Sequence, residues 1–476
     1  MRSFTLLTLL LSACSNEPEG IIFVDVTEEW NLDFVHDAGV TPEKHLPETM
    51  GAGAALADFD SDGDLDLYLI QGGELPVPGV VDDGNTNRLY RNMGDGQLVD
   101  ATHAAGAAAH TGYGMGVAVG DCDGNGHLDI YLSCLGEDAL LFGNGTGWFR
   151  DGTAASGVRD ERWTAGCVFF DADQDGDLDL YVTGYLEVDL TKPTWCGEQR
   201  EGWRSYCHPD HYEGLSDRYW RNEGDGSFVD GTREAGFSDS MGKGLGAIPA
   251  DFDSDGDLDL YVANDSTENR LWVNEGGGSF ADGTLLSGTG VNGRGLTEAG
   301  MGLASGDFDS DGDLDLYVTN FDDESNTLYR NEGELIFTDV TARSGLDSPT
   351  RMQVGFGTVA ADFDSDGDLD IAVTNGHIID NIELYHDGKT HAQRALLLEN
   401  SGGTFVSVAA GDFGDLLRVG RCLLAGDLDS DGDLDLIETA CGGAARIYRN
   451  DSASGGSAAT SAGAQPSYLG AAMLRD

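Results

Sequence analysis

Basic residues are scarce in this 476-residue chain: 26 Lys and Arg stand against 85 Asp and Glu, for a formal net charge of −59. A surface that grips phosphate needs clustered Lys and Arg, so nucleic acid is excluded as a partner. Long apolar runs are also missing, and beyond the N-terminal segment none approaches the ~18 residues a membrane-spanning helix needs. There is no HExxH and no serine elbow with His and Asp partners. "GTGVNG" from Gly288 fits GxGxxG but lacks a strand-to-helix context and reads as a loop. What the chain does have is 40% hydrophobic residues, too many for a solvated acidic tail. It should fold once something neutralises its carboxylates, and cations are the obvious agents.

The chain opens "MRSFTLLTLLLSACSNEPEG", a positive residue and an apolar run followed by small residues before Cys14. This pattern predicts an export signal over residues 1–13. Leu11-Ser12-Ala13-Cys14 resembles a bacterial lipobox, which would make Cys14 the lipidated first residue of the mature protein, followed by a linker to residue 20. The expected location is therefore outside the cytoplasm, lipid-anchored at the bacterial outer membrane or cell surface, with the lipid as the one membrane contact. In such a compartment disulfides are permitted. Cys196 and Cys207 flank a polar loop, and Cys422 and Cys441 are placed to face each other across a hairpin; pairing of Cys122, Cys134 and Cys167 stays open.

An acidic motif, "DFDSDGDLD" in its commonest form, occurs seven times, starting at Asp58, Asp121, Asp171, Asp251, Asp307, Asp362 and Asp427. A Gly-rich apolar stretch precedes each copy and a short strand-like run such as "LDLYVT" follows. Each unit then adds an "LYRN"-like strand, ending at Asn92, Asn144, Asn222, Asn274, Asn331, Asn400 and Asn450, and an "FxDxT"-like strand as at Phe228 and Phe337. Four antiparallel strands per unit, repeated at a period above forty residues, predict an all-β, seven-bladed β-propeller. The seventh unit lacks its fourth strand, and "FVDVT" from Phe23 to Thr27 supplies one from the other end of the chain. The N-terminal strand is therefore expected to complete the last blade and close the ring over residues 21–451. Residues 452–476 are too rich in small polar residues to bury a core and are expected to be disordered.

Within the motif, Asp at positions 1, 3, 5 and 9 offers hard oxygen ligands, Gly at position 6 permits a sharp turn, and position 7 offers its carbonyl. That set suits Ca²⁺, and the lack of Cys and His in the consensus argues against zinc. The expected ligand loops are Asp58, Asp60, Asp62, Asp64 and Asp66; Asp121, Asp123, Asn125, His127 and Asp129; Asp171, Asp173, Asp175, Asp177 and Asp179; Asp251, Asp253, Asp255, Asp257 and Asp259; Asp307, Asp309, Asp311, Asp313 and Asp315; Asp362, Asp364, Asp366, Asp368 and Asp370; and Asp427, Asp429, Asp431, Asp433 and Asp435. Up to seven Ca²⁺ ions, structural in role, would follow. The flanks are strands, and position 12 of the first copy is Leu69, so the loop departs from a helical EF-hand.

The pattern resembles the cation loop of FG-GAP (VCBS) repeats, the blades of integrin α-subunit propellers. "FVDVTEEWNLDFVHDAGVTPEKHLPETMGAGAALADFDSDGDLDLYLIQGG", "YCHPDHYEGLSDRYWRNEGDGSFVDGT" from Tyr206 and "TNGHIIDNIELYHDG" from Thr374 are similar to the cartilage-acidic-protein-like family. The resemblance implies a secreted or surface-attached calcium-binding propeller. Two features depart from it: a short tail stands where an ASPIC/UnbV domain commonly follows, and Cys422 occupies a position that is Gly in the other six copies.

In such a blade the acidic loops lie at one end of the ring, and the long insertions 28–50, 71–87, 184–217 and 376–394 lie at the other. Recognition usually lives in loops that vary on a rigid scaffold. We expect His36, His45, Glu48, Trp195, Trp203, His208, His211, Tyr212 and His377 near the mouth of a ligand face for a protein or glycan, or else packed within the insertions. No catalytic residue is assigned. The competing class is a carbohydrate-active lyase or dehydratase using a His/Glu site on that face.

Overall fold

The computed structural model describes residues 20–75, 86–109, 112–237, 241–452 and 470–472. The predicted signal, Cys14 and nearly all of the linker lie outside them. Seven four-stranded antiparallel units form a ring. Blade 1 consists of Ala54–Ala57, Asp66–Leu69, Arg88–Asn92 and Leu98–Asp100. Blades 2 to 6 span residues 112–151, 164–230, 244–282, 303–339 and 355–408, and blade 7 spans 420–450. The first strand of each blade touches the first strand of both neighbours all the way round, so the ring is closed. Among the described residues no helix is long and apolar enough to cross a membrane.

The closure is the expected one. Phe23–Asp25 pairs antiparallel with the third strand of blade 7, Phe23 opposite Asn450 and Asp25 opposite Tyr448. Thr27 accepts the Ile447 N–H at 3.0 Å, as Thr102 accepts that of Leu89 and Thr284 that of Leu271. The Thr of the "FxDxT" motif thus ties a fourth strand back to its third, and the N-terminal strand carries the same tie. Ile21 and Phe23 pack with Phe363 and Phe413 between blades 6 and 7.

The core is divided by blade junction. Strand side chains alternate between the two faces of a blade, so each junction buries one apolar cluster. Leu56, Leu67, Leu424 and Ile437 fill the junction of blades 7 and 1; Leu260, Trp272, Phe170 and Phe237 fill that of blades 3 and 4. The Gly five residues before each acidic motif permits close approach of first strands: a Cβ on Gly302 would stand 2.1 Å from the Phe356 carbonyl oxygen. Cys422 can replace it at the 7–1 junction because its side chain joins the apolar cluster there.

Two expectations need correction, and three residues of the tail, most of which lies outside the described residues, are placed in a strand. Cys422 and Cys441 are both free. A register shift between Gly420 and Leu423 sets the Cys422 N–H on the Thr439 hydroxyl and the Cys441 N–H on Val419, so the two residues are out of step. In blade 2 the residue equivalent to the "LYRN" Asn is Gly143, paired with Phe149, and not Asn144. Within the tail, Gly470–Ala472 runs parallel to Ala54–Leu56, using the otherwise unpaired edge of an innermost strand.

The Asn that ends a third strand reaches into the preceding blade. Asn92 donates to Leu428, Asn222 to Cys122, Asn274 to Ala172, Asn331 to Phe252, Asn400 to Phe308 and Asn450 to Phe363, each time to the position-2 carbonyl of the acidic loop, at 2.7–3.0 Å. Asn331→Ala should lower the unfolding free energy by about 1–3 kcal/mol, the cost of losing a buried hydrogen bond. Asn144→Ala should change it by about 1 kcal/mol or less, because the bonds it accepts from Thr146 and Trp148 are exposed and local. Denaturant unfolding of the two variants checks the register.

Candidate cation loops and the insertion face

Each acidic loop is folded by its own carboxylates. Asp58 accepts the Asp62 and Gly63 N–H groups, both at 3.1 Å, and Asp307 accepts those of Asp311 and Gly312 at 3.0 and 2.9 Å. The same turn recurs at Asp121, Asp251, Asp362 and Asp427. Position 4 is left-handed, with φ near 60° at Ser61, Gln174, Ser254, Ser310, Ser365 and Ser430. That conformation costs a non-glycine residue about 1 kcal/mol, so the surrounding bonds must hold it.

The position-9 carboxylate is buried and bonded on both oxygens. One oxygen of Asp66, Asp129, Asp179, Asp259, Asp315, Asp370 and Asp435 accepts the N–H of the residue that ends the blade's third strand, at 2.8–2.9 Å. In six blades the other oxygen accepts the N–H of loop position 2; in blade 3 the Tyr219 hydroxyl donates to Asp179 at 2.6 Å. Burial pushes Asp66, Asp259 and Asp315 up to about 7, and Asp435 to about 8. This residue, expected only as a cation ligand, is a backbone clamp between loop and strand.

The carboxylates at the mouth of the loop form the candidate metal set. Asp58, Asp60 and Asp62 each bring one oxygen within 4.8 Å of the others, as do Asp171, Asp173 and Asp175, Asp251, Asp253 and Asp255, and Asp307, Asp309 and Asp311. In blade 2 the trio is Asp121, Asp123 and Asp129. Both oxygens of Asp60 and one each of Asp309 and Asp429, all at position 3, are buried without a hydrogen-bond donor, as is one oxygen of Asp171 at position 1, although Arg91 is ion-paired with Asp60. A buried carboxylate oxygen left in that state is costly. Oxygen-only donors with a free inward oxygen fit a hard divalent cation.

At the opposite end the insertions interlock over the axis. Leu46 and Met50, in and beside the turn Leu46–Thr49, pack with Tyr113, Trp163, Leu245, Met301 and Phe356 from five different blades. The Cys196–Cys207 disulfide closes the Cys196–Gly197 and Arg204–Ser205 hairpin. Asn381 donates to the Arg204 carbonyl at 3.0 Å, and the Tyr385 hydroxyl to that of Trp203. This packing decides the fate of the expected ligand residues. Glu48 is buried and accepts bonds from Thr41, His45 N–H and the Tyr206 hydroxyl. His377 is 1% exposed, between the Ile379 N–H and Asp322. His36 is 1% exposed, with Nδ1 accepting the Gly442 N–H at 3.1 Å. These three belong to the packing of the insertions, not to a rim. His45, Trp203, His208 and Tyr212 are half-buried, and Trp195 and His211 are exposed. Sequence reading missed a groove of about 280 Å³ between the connections that follow blades 4 and 5, lined by Arg294, Arg343 and Arg351 with Glu298, Asp323 and Asp339.

The repeat, the loops and the ring define a class. Residues 58–132, 211–262, 251–318 and 307–373, half of the chain, match the FG-GAP-like repeat, and the chain belongs to that family. It is 24% identical over 393 residues to Cartilage acidic protein 1 of Homo sapiens, covering 76% of this chain and 53% of the relative. The Mus musculus protein of the same name is 25% identical over 348 residues, covering 68% and 48%. The chain thus spans about half the length of these curated relatives. Among solved structures, that of an Agrocybe aegerita lectin specific for non-reducing terminal N-acetylglucosamine covers 81% of this chain and 88% of its own at 16% identity, with a TM-score of 0.44, a likeness too loose to bear on function.

Burial lowers His36 to about 4. The unfolded chain, with an ordinary imidazole, takes up a proton first as pH falls, so this contribution is intact above pH 6.5 and is lost between 6.5 and about 4. Its full size is about 3 kcal/mol. Replacing His36 with Gln should reduce the stability difference between pH 7 and pH 4.5 by about 2–3 kcal/mol, read by denaturant unfolding at the two pH values.

Proposed function

We propose that this protein is an exported, lipid-anchored propeller whose acidic loops hold structural Ca²⁺ and whose insertion face recognises a protein or glycan. The observation that supports the calcium reading is the position-3 carboxylate, which in three loops has a buried oxygen without a hydrogen-bond donor, beside acidic trios whose oxygens converge within 4.8 Å. Bound cations supply positive charge where the fold has packed carboxylates together, and they brace the turn joining the first two strands of a blade. The protein's own contribution is to hold those carboxylates in a left-handed turn and to bury the position-9 clamp behind them.

Recognition is assigned to the other end because variation gathers there. The loop end repeats one short turn seven times, whereas the insertion end carries the disulfide-closed hairpin, the exposed Trp195 and His211, and the arginine-bearing groove. The His/Glu enzyme reading has less behind it, since Glu48, His36 and His377 are engaged inside the packed insertions. Export and anchoring are supported by the leader-like segment and Cys14.

Chelation of divalent cations should lower Tm by at least about 5 °C, and Ca²⁺ should restore it. A single site saturated 100-fold above Kd contributes about 2.7 kcal/mol, and 1 kcal/mol shifts a ring of this size by about 1 °C, so two occupied sites already reach the expected shift. An unchanged midpoint in a thermal scan would sink the structural-calcium reading. On a glycan and protein array, a ligand captured by the wild type should be lost in the double variant Arg294→Ala and Arg343→Ala with Tm unchanged; capture by both would move the recognition surface elsewhere.

A further inference from the structure

The seven loops share their carboxylates but not their surroundings. The residue just before the third-strand N–H that the clamp carboxylate binds stands beside the loop, and it differs from blade to blade: Arg91, Phe142, Arg221, Val273, Arg330, Glu399 and Arg449. Arg91 is ion-paired with Asp60 and lies 3.7 Å from Asp62. Arg330 comes within 3.7 Å of Asp309, while Glu332, outside the loop, also holds it at 2.5 Å. In blade 2, Phe142 leaves the place open, and Arg150 from the fourth strand lies over its ring at 4.2 Å and reaches to 3.7 Å from Asp123. In blades 3 and 7 the guanidinium pairs with an acid outside the loop, Arg221 with Glu223 at 2.6 Å and Arg449 with Asp451 at 2.7 Å, and among the described residues neither has a loop carboxylate within 4 Å, although the charge of Arg449 still acts on Asp429. Blade 4 offers Val273, which is neutral. Blade 6 offers Glu399, whose charge acts on Asp364 at position 3.

Resting on the reading of the loops as cation sites, we infer that this neighbouring residue ranks them, with the Asp362–Asp370 loop beside Glu399 binding most tightly. The loops met by Arg91, Arg150 and Arg330 bind most weakly. A guanidinium within 4 Å of a ligand carboxylate is a tethered cation. It repels an incoming divalent ion and holds the carboxylate it has already neutralised. At a separation of about 6 Å in water-like dielectric, one unit of charge acting on a divalent ion changes Kd about tenfold. The distance is shorter than the Debye length at physiological salt, so screening leaves most of the effect. The Arg-met loops stay ordered at low cation concentration because their counter-ion is built in.

The test is calorimetric titration of the cation-stripped full chain with Ca²⁺, beside the variants Glu399→Gln and Arg330→Gln, with native mass spectrometry counting bound ions. The expected wild-type isotherm has at least two classes of site. Glu399→Gln should weaken the tightest class about tenfold, and Arg330→Gln should move one weak site about tenfold tighter. Should one variant fail to fold, the other still decides. Ca²⁺ binding with the same stoichiometry and affinities in wild type and variants overturns this inference and leaves the cation reading standing. No Ca²⁺ binding by the wild type overturns both.

Discussion

The carboxylate at the end of each acidic loop is bonded on both oxygens, and the ring depends on that clamp. One bond fixes it to the third strand of its own blade in all seven units, and in six of them the other fixes the turn that carries the candidate cation ligands. The next blade's Asn then takes the carbonyl at position 2 of the same loop, at six of the seven junctions. At the junction of blades 1 and 2, where Gly143 replaces the Asn, the Gly147 N–H binds the Phe59 carbonyl at 3.2 Å. The acidic loop is therefore a joint between blades as much as a turn within one.

Such a joint concentrates charge. Burial, with the repulsion of neighbouring loop carboxylates, raises the clamp carboxylates to between about 6 and about 8, and the chain has too few Lys and Arg to offset the rest. Where basic residues do occur near the loops they serve as local counter-ions, as Arg91 does for Asp60. The distribution of those few arginines makes seven nearly identical sequences into unequal environments. Composition and local geometry are thus parts of one constraint: a fold that needs carboxylates for its backbone must manage their repulsion.

The insertion end obeys a different logic. There the chain has no repeat to follow, and it closes the axis with an apolar plug built from five blades and the Leu46–Thr49 turn. Polar residues carried in by the insertions are absorbed by this packing: Glu48 organises its own loop and meets Tyr206 from 158 residues away. A His or Glu in a long insertion has the same appearance in sequence whether it faces solvent or a neighbouring loop. His36 and His377 show the consequence, and the groove with Arg294 and Arg343 carries no motif that would have drawn attention to it.

Period, strand type and ring closure were legible in the sequence because they are local: alternation sets a strand, Gly and Asp set a turn, and a unit short by one strand must borrow one. The turn ligands were legible for the same reason, since the bonds at Asp58 span only four and five residues. Tertiary structure decided what depends on register and on contacts between distant segments. A one-residue offset makes Gly143 the third-strand partner of the blade 2 clamp, a bulge sets Cys422 and Cys441 out of step, and packing of the insertions buries Glu48. Pairing register is a sum over many weak contacts across the sheet, and no short stretch of chain contains it.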